Sequence, residues 1–264
     1  MKLKGDKKMR LNTIYNEDCL EGMKRIPDKS IDMILCDLPY GTTACKWDEV
    51  IPFEPLWEQY ERVIKDNGAI VLTASQPFTT KLIASNFDMF KHEWVWIKSH
   101  GGFATAKFKP LKRHEDVLVF SKGTVSYHPQ MVEVKGKVRD QRNEPAFNNN
   151  GRNKVDSPIN PGTKMAYSKD YNPKKRYPKS HIEFSNRTEK TIHPTQKPVP
   201  LFEYLIKTYT NKGETVLDNC MGSGTTAIAC LNTDRQYIGF ELDETYHKLS
   251  LERIENHAQQ LSLI

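Results

Sequence analysis

A short strand followed by a glycine-rich turn, late in the chain, constrains the fold more than any other sequence feature. Residues 215–218 form an apolar run that ends in Asp218, and two glycines follow before a helix begins. Gly222 and Gly224 allow the backbone to approach a ligand closely, and the N–H groups at a helix start favour a negatively charged ligand. Only 46 residues follow Asp218, too few for a complete nucleotide-binding sheet. We therefore expect the other strands to come from the N-terminal half.

A second predicted strand, Tyr237–Glu241, ends in a carboxylate 23 residues after Asp218. A carboxylate at this position can accept hydrogen bonds from both hydroxyls of a ribose. Ser223 or Thr225 can cap the helix that follows the turn. The turn also matches the G-x-G-x-x-A pattern of dinucleotide-binding proteins, and a plain chain reversal would use glycines too. The turn by itself therefore leaves the cofactor open.

The hydrophobic pattern predicts an α/β fold. Most strand candidates are short continuous apolar runs, as expected where helices cover both faces of a parallel sheet. The predicted strands cover residues 12–16, 31–36, 69–73, 94–98, 116–121, 215–218 and 237–241. The predicted helices cover residues 54–66, 201–210 and 243–259, and the first of them is expected to stop at Gly68.

Positive charge is concentrated in the middle of the chain. The formal net charge is +6, yet residues 122–190 carry 15 Lys and Arg against 7 Asp and Glu, and the remainder carries 24 against 26. The same segment is rich in turn signals and aromatic side chains. It is typical of a loop-rich module that faces a polyanion, although a solvated charged loop has the same composition. Phosphate contacts are predicted for Lys174, Lys175, Arg176 and Lys179.

Composition excludes several classes of protein. The chain has low mean hydropathy, no apolar run approaching a membrane span and no apolar leader, so we expect a soluble cytoplasmic protein without membrane contact. The 5 cysteines include no C-x-x-C pair, and no His-Glu pair is completed to H-E-x-x-H. Neither a disulfide framework nor a metal site is indicated.

Residues that can polarise an amine follow the predicted strand at 31–36. Asp37 and the turn Leu38-Pro39-Tyr40 stand where catalytic groups collect in open α/β sheets, at the carboxyl end of a strand. The amino group of a purine is a poor nucleophile because its lone pair is delocalised. Hydrogen bonds from its N–H groups to a carboxylate and a backbone carbonyl would return electron density to nitrogen. A β-turn that simply closes the strand remains the alternative.

These two turns together resemble those of a known family. Residues 37–40 look like the D-P-P-Y catalytic motif of amino-group DNA methyltransferases, and residues 218–226 are similar to their S-adenosylmethionine motif D-x-F-x-G-S-G-T-T. The catalytic motif precedes the cofactor motif, with a basic insert between them, which is the order of the β class. Further similar stretches are residues 17–21, 41–48, 113–122 and 193–198.

The resemblance implies a fold and a division of the chain. The fold is a seven-stranded mixed, mainly parallel methyltransferase (Rossmann-like) sheet with permuted motif order and a loop-rich DNA-recognition insert. Residues 1–121 would form the catalytic half, 122–190 the basic target-recognition insert, and 191–264 the cofactor-binding half.

The resemblance also implies a reaction, the transfer of the methyl group of S-adenosylmethionine to adenine N6 in duplex DNA, on a base flipped out of the helix. Asp37 and the Leu38 carbonyl would accept hydrogen bonds from the amine, Pro39 would fix the turn, and Tyr40 would stack on the base. Lys46 would contact DNA. The expected cofactor-binding residues are Asp18, Thr195, Gln196, Lys197, Asp218, Cys220, Gly222, Ser223, Gly224, Thr225 and Glu241.

Two departures from the family pattern leave alternatives open. Leu38 replaces the first proline, and Asn219 with Cys220 replaces the usual Pro-Phe or Asn-Phe. Asp37, where cytosine-N4 enzymes have serine, favours adenine. The alternatives are a cytosine-N4 DNA methyltransferase, an RNA or protein methyltransferase, and a non-catalytic DNA-binding protein on a methyltransferase scaffold. The expected partner is double-stranded DNA, with a separate restriction endonuclease allowed, and the enzyme would be a monomer or homodimer.

Overall fold

The computed structural model describes residues 9–42, 45, 48–101, 106–134, 136–137, 172–187 and 191–261. All the predicted strands and helices are present, with ends within five residues of those expected. The strands are β1 (Thr13–Tyr15), β2 (Ile31–Cys36), β3 (Ile64–Ala74), β4 (Phe90–Ile97), β5 (His114–Phe120), β6 (Val132–Glu133), β7 (Lys175–Arg176), β8 (His181–Glu183), β9 (Thr215–Asp218) and β10 (Gln236–Phe240). The helices are α1 (Cys19–Met23), α2 (Phe53–Val63), α3 (Phe78–Ser85), α4 (Val199–Tyr209), α5 (Thr225–Asn232) and α6 (Glu244–Leu261).

In the described part of the chain, eight strands form one sheet in the order β1-β10-β9-β2-β3-β5-β4-β8. All neighbours pair in parallel except that β5 runs antiparallel to both β3 and β4. This confirms the mixed, mainly parallel methyltransferase sheet. The eighth strand, β8, comes from the segment expected to be a loop-rich insert, and it extends the sheet beside β4.

Strand β2 has an almost continuous apolar sequence because both faces of the sheet are covered. Ile34 and Cys36 belong to the core on one face, whereas Met33 and Leu35 belong to the core on the other. Alternate side chains of a strand point to opposite faces, so both sets must be apolar. Helix α2 packs over the first face and α4 over the second. This arrangement fixes the carboxyl end of β2 between two helical layers.

One predicted boundary is wrong. The helix expected at 54–66 ends at Val63, and the chain enters β3 directly at Ile64. Gly68 therefore lies inside β3 rather than at a helix end. A Cβ at Gly68 would stand 2.8 Å from the backbone oxygen of Asp32, where the register of β2 against β3 shifts. This glycine permits a close strand approach, a use that the sequence pattern does not distinguish from a helix stop.

The chain divides into two compact units. One comprises Met1–His128 with Lys179–Ile264 and contains the eight-stranded sheet. The other is Pro129–Pro178, in which β6 and β7 form a two-stranded antiparallel ribbon, with Val132 beside Arg176. Within the described residues, the helices are either too short or too polar to cross a membrane.

Candidate active site

A cleft of about 1080 Å³ lies at the carboxyl ends of the parallel strands β2, β9 and β10. It brings together the residues from both halves of the chain that the sequence analysis singled out. The predicted catalytic residues that line it are Asp37, Leu38, Pro39 and Tyr40. The predicted cofactor-binding residues that line it are Asp18, Thr195, Gln196, Lys197, Asp218, Cys220, Gly222, Ser223, Thr225 and Glu241. Gly224 lies just outside, at the start of α5.

Asp37 follows β2 directly, and its carboxylate is surrounded by hydrogen-bond donors. The Tyr40 hydroxyl donates to Oδ1 at 3.0 Å, and the Thr73 hydroxyl donates to the same oxygen. Lys197 Nζ donates to Oδ2 at 2.7 Å. Both carboxylate oxygens therefore have partners from three separate segments of the chain.

Lys197 links Asp37 to a second carboxylate. Its side chain is 8% exposed, and its ammonium lies 3.4 Å from Glu115 Oε2, while Lys98 lies 2.8 Å from Glu115 Oε1. Burial lowers the pKa of Lys197, but the charges of Asp37 and Glu115 outweigh burial and raise it. Burial raises the pKa of Glu115, and the two lysines more than reverse this effect. The cleft thus contains an alternating row of opposite charges, buried at Lys197 and partly buried at the others, that sequence spacing did not reveal.

The turn after Asp37 is held firmly. Leu38 is buried in the core, so the leucine that replaces the usual proline is fixed by packing. The Tyr40 ring stacks on Phe78, with centroids 5.0 Å apart and planes at 24°. Lys197 Nζ lies 5.6 Å from the centre of the Tyr40 ring. Burial, followed by the charge of Asp37, raises the pKa of Tyr40, which keeps its hydroxyl a donor.

The glycine-rich turn carries donors and a carboxylate into the cleft. Gly222 has φ +51°, and a Cβ there would meet no atom closer than 3.9 Å, so its free face is open to a ligand. Its N–H donates to Glu241 Oε2 at 2.7 Å, and the Asp243 N–H donates to Oε1 at 2.9 Å. Burial raises the pKa of Glu241. A half-buried carboxylate beside an open glycine backbone fits the ribose and methionine parts of S-adenosylmethionine.

Asp218 supports the turn from below. Only 3% of it is exposed, and it accepts hydrogen bonds from the Cys220 N–H at 3.0 Å and from the Thr226 hydroxyl. Burial raises its pKa to about 6, against the effect of these bonds. Its geometry is that of a residue that shapes the cofactor turn, which refines the contact role expected for it.

The hydroxyls expected at the cofactor are linked to helix α6. Arg253 Nη1 donates to the Ser223 backbone oxygen at 2.8 Å and to Thr225 Oγ1 at 3.1 Å. Thr225 Oγ1 in turn donates to the Lys197 backbone oxygen at 3.2 Å. Arg253 was not predicted, because nothing in the pattern of a charged final helix separates an inward arginine from exposed charged residues.

The remaining predicted cofactor residues line the cleft rim. Asp18 caps α1 by accepting from Leu20 N–H at 2.9 Å. Thr195 contacts the His193 ring, whose pKa is lowered by burial, and Gln196 accepts from the backbone of Ile192.

The departure at positions 219 and 220 has a structural explanation. Asn219 is buried, and its side-chain oxygen accepts a hydrogen bond from the Tyr60 hydroxyl of α2. Cys220, where the family has an aromatic ring, contacts the core beside Cys19 and Asn219. The polar pair Asn219–Tyr60 therefore links the turn to α2.

The predicted DNA contacts are exposed wherever the structure describes them. Lys174, Lys175 and Arg176 are exposed on or beside β7, and Lys179 is exposed before β8. Lys46 lies outside the described residues.

A second basic segment was missed. Residues 98–114, which join β4 to β5, contain 5 Lys and Arg and no acidic residue, and Lys107, Lys109 and Arg113 are exposed. The net charge of the chain outside residues 122–190 did not indicate it, because acidic residues elsewhere balance the charge of this segment. The Lys98 N–H donates to the Arg113 carbonyl at 2.8 Å, so the base of this connection is closed beside the cleft-lining Lys98.

Comparison with known proteins gives consistent results. The family model N6_N4_Mtase, described as DNA methylase, matches residues 31–252. Type II methyltransferase M.HpaI of Haemophilus parainfluenzae is 27% identical over 253 residues, covering 90% of this chain and 73% of the relative. DNA adenine methyltransferase YhdJ of Escherichia coli (strain K12) is 28% identical over 257 residues, covering 92% and 82%.

Two solved structures share the fold. The M1.HpyAVI–SAM complex superimposes with a TM-score of 0.58 at 23% identity, over 91% of this chain and 98% of that chain. The cytosine-N4-specific PvuII DNA methyltransferase superimposes with a TM-score of 0.61 at 16% identity, over 94% and 91%. Because the family model spans most of this chain, the protein belongs to the N6/N4 DNA methylase family and is a DNA amino-methyltransferase that uses S-adenosylmethionine.

Proposed function

We propose that this enzyme methylates the N6 amino group of adenine within a short specific sequence of duplex DNA. The observation that carries the proposal is the position of Asp37, a carboxylate at the end of β2 in the same cleft as the glycine turn and Glu241. The 28%-identical relative YhdJ is named a DNA adenine methyltransferase, which supports adenine as the base.

The residues of the catalytic turn would act on the amine. Asp37 and the Leu38 backbone carbonyl would each accept one of its N–H bonds, which makes its nitrogen electron-rich and directs its lone pair along the line of transfer. S-adenosylmethionine supplies an electrophilic methyl group when bound. Because these acceptors are fixed before the base arrives, most of the rate gain would come from positioning and electrostatics.

The cofactor would be held by the carboxyl-terminal half of the cleft. Glu241 would accept hydrogen bonds from the ribose hydroxyls, and the backbone at Gly222 would lie against the methionine part. Asp18, Thr195 and Gln196 would complete the rim. Lys197, expected at the cofactor, is instead proposed as a partner of Asp37, since its ammonium contacts that carboxylate.

The target base must leave the duplex to reach Asp37, because N6 is not accessible inside the helix. Tyr40 would form a wall for the extruded base, and the ring is suited to this because Phe78 supports it from one side. Stacking of a base on an aromatic ring stabilises binding by about 1–3 kcal/mol.

DNA would be held by two basic regions. Residues 122–190 would supply sequence recognition, with phosphate contacts from Lys174, Lys175, Arg176 and Lys179. The exposed cations of residues 98–114 would contact phosphates near the cleft mouth.

One experiment tests the proposal directly. Purified enzyme is incubated with unmethylated genomic DNA and S-adenosylmethionine, and the product is examined by nucleoside mass spectrometry and by long-read modification mapping. N6-methyladenine at one short motif is expected, and it should be absent with Asp37→Ala, a variant that must still bind the cofactor. N4-methylcytosine instead would overturn the choice of adenine while preserving the amino-methyltransferase assignment.

A further inference from the structure

We propose that Lys197 occupies the amine-binding oxygen of Asp37 until the target base arrives, and that Glu115 then receives the displaced ammonium. Lys197 and Glu115 are thus positioning residues that act through Asp37. The inference rests on the amine-acceptor role proposed for Asp37.

Both oxygens of the Asp37 carboxylate already accept hydrogen bonds in the structure, and Oδ1 accepts two. Oδ1 accepts from the hydroxyls of Tyr40 and Thr73, and Oδ2 accepts from Lys197 at 2.7 Å. An incoming amine must therefore bind at Oδ2, where it competes with the Lys197 ammonium. Thr73 is fully buried in β3, and the Tyr40 hydroxyl is linked to it at 3.1 Å, so these two hold each other in place. Lys197, on a long side chain, is the donor that can leave.

The displaced ammonium has a prepared acceptor. Glu115 Oε2 is buried and has no hydrogen-bond partner among the described residues, although Lys197 Nζ lies 3.4 Å away. The other oxygen, Oε1, is engaged by Lys98 at 2.8 Å, which anchors the carboxylate. A buried acceptor without a donor is costly, and it would gain one when Lys197 moves fully toward it.

Electrostatics explains why the second carboxylate is needed. A buried ammonium that left Asp37 without a new partner would pay a large desolvation cost. Glu115 removes this cost because Lys197 remains beside a negative charge at both ends of its movement. Without the Glu115 charge, Lys197 would stay on Asp37 and compete with the amine.

Removing Lys197 should rescue an enzyme that has lost the Glu115 charge. Methyl transfer is measured in a single turnover, with tritiated S-adenosylmethionine and unmethylated DNA, so that methyl groups are counted whichever base receives them. Glu115→Gln should slow transfer by about 100-fold, with cofactor Kd changed less than about twofold, because Lys197 now blocks Asp37. Adding Lys197→Met to that variant should raise the rate of transfer at least about tenfold above that of Glu115→Gln alone.

If Glu115 and Lys197 had only structural roles, each substitution would lower the rate of transfer, and the two losses would accumulate in the double variant. A double variant as slow as Glu115→Gln, or slower, would therefore overturn the proposal. Glu203→Gln is the matched control, since Glu203 is a partly buried carboxylate 3.8 Å from Lys207 on α4, outside the cleft, and its rate should match wild type. If Glu115→Gln does not fold, Glu115→Asp can replace it, because the shorter side chain moves the carboxylate away from Lys197. This variant should also be slow, and adding Lys197→Met should again raise its rate.

A second measurement needs no methyl transfer and separates this inference from the proposed function. Double-mutant cycles of thermal stability on the DNA-free enzyme compare Lys197 with Asp37 and Lys197 with Glu115. The non-additive part of the change in Tm should be larger for Lys197 with Asp37 than for Lys197 with Glu115, because the ammonium contacts Asp37 in the DNA-free enzyme. Larger coupling with Glu115 would refute the proposal even in an enzyme that methylated cytosine.

Discussion

Asp218 illustrates how a single residue can shape a site at a cost in stability. Its pKa of about 6 in the folded protein exceeds the usual value near 3.8, so the folded state keeps a proton that the unfolded state releases. The contribution of Asp218 to stability should therefore fall as pH rises from about 4 to 6, by up to about 3 kcal/mol. Asp218→Asn cannot release a proton, so the difference in unfolding free energy between variant and wild type should increase across this range in the variant's favour.

Urea unfolding of both proteins between pH 4 and 7.5 measures this difference. Other titrating groups are common to the two proteins and cancel. A difference that is flat with pH would show that Asp218 is charged in the folded state at pH 4.

Two buried glycines should respond differently to alanine. A Cβ at Gly22 would lie 2.1 Å from the fully buried ring of Phe240, which has no room to move. A Cβ at Gly239 would lie 2.2 Å from Cε of Met221, the flexible end of a side chain that lines the cleft. Gly22→Ala should cost about 1–3 kcal/mol of stability. Gly239→Ala should cost less but weaken cofactor binding, which denaturation and calorimetry check separately.

The positions of Asp37 and Glu241 in the cleft were predictable, because each residue directly follows a strand. Contacts between segments that are distant in the chain were not predictable. Lys197 lies 160 residues from Asp37 in the chain, and the ion pair forms only because α4, which follows Lys197, packs against the sheet beside β2, which precedes Asp37. Glu115 belonged to a quoted motif, yet its position between two lysines depends on β5 running antiparallel beside β4, with Trp96 opposite Glu115. No local pattern encodes either contact.

At the scale of elements, the connection between β4 and β5 should contribute to DNA affinity. Lys107→Glu with Lys109→Glu reverses two exposed charges without touching the core. We expect weaker binding to a duplex of any sequence, and a smaller slope of log K against log salt, because fewer counterions are released. Fluorescence anisotropy with a labelled duplex at several salt concentrations measures both.

A matched control uses two other exposed lysines, Lys24 at the carboxyl end of α1 and Lys248 on α6. The same charge reversal there should leave the salt slope near that of wild type. Equal effects of the two double variants would mean that net charge alone, rather than this connection, governs binding.

Elements with strong hydrophobic patterns were predictable, whereas several elements without such a pattern were missed. The strand β8 has only three residues and no continuous apolar run, so its membership of the sheet depends on pairing with β4. The five-residue α1 depends on the Asp18 cap, and α3 was also missed. Such elements are stabilised by tertiary contacts rather than by their own sequence preference.

At the scale of the whole molecule, the cofactor cleft joins two halves that are far apart in the chain. Its lining residues come from β2 and its turn on one side and from β9 and β10 on the other. S-adenosylmethionine at about 100 times its Kd should therefore stabilise the whole sheet by about 2.7 kcal/mol. Tryptophan fluorescence, which includes the buried Trp57 of the first half, and thiol labelling of the buried Cys230 of the second should report the same shift. A shift in only one would indicate that the halves unfold separately.

The order of the motifs along the chain predicted this architecture correctly, because a cofactor turn near residue 220 requires earlier strands to complete the sheet. The number of strands was not predictable in the same way, since β8 comes from a segment dominated by turn signals.

The pairing of β1 with β10 has a consequence for synthesis. Ile14 lies beside Gly239 and Tyr15 beside Phe240. The first strand of the chain therefore cannot pair within the sheet until β10, close to the end of the chain, has been synthesised. Strand β2 likewise has β3 as a neighbour on one side but lacks β9 on the other until late in translation. A nascent chain on the ribosome would therefore expose an apolar strand edge for most of its elongation. That edge is where a chaperone would bind, and chains released prematurely would aggregate through it.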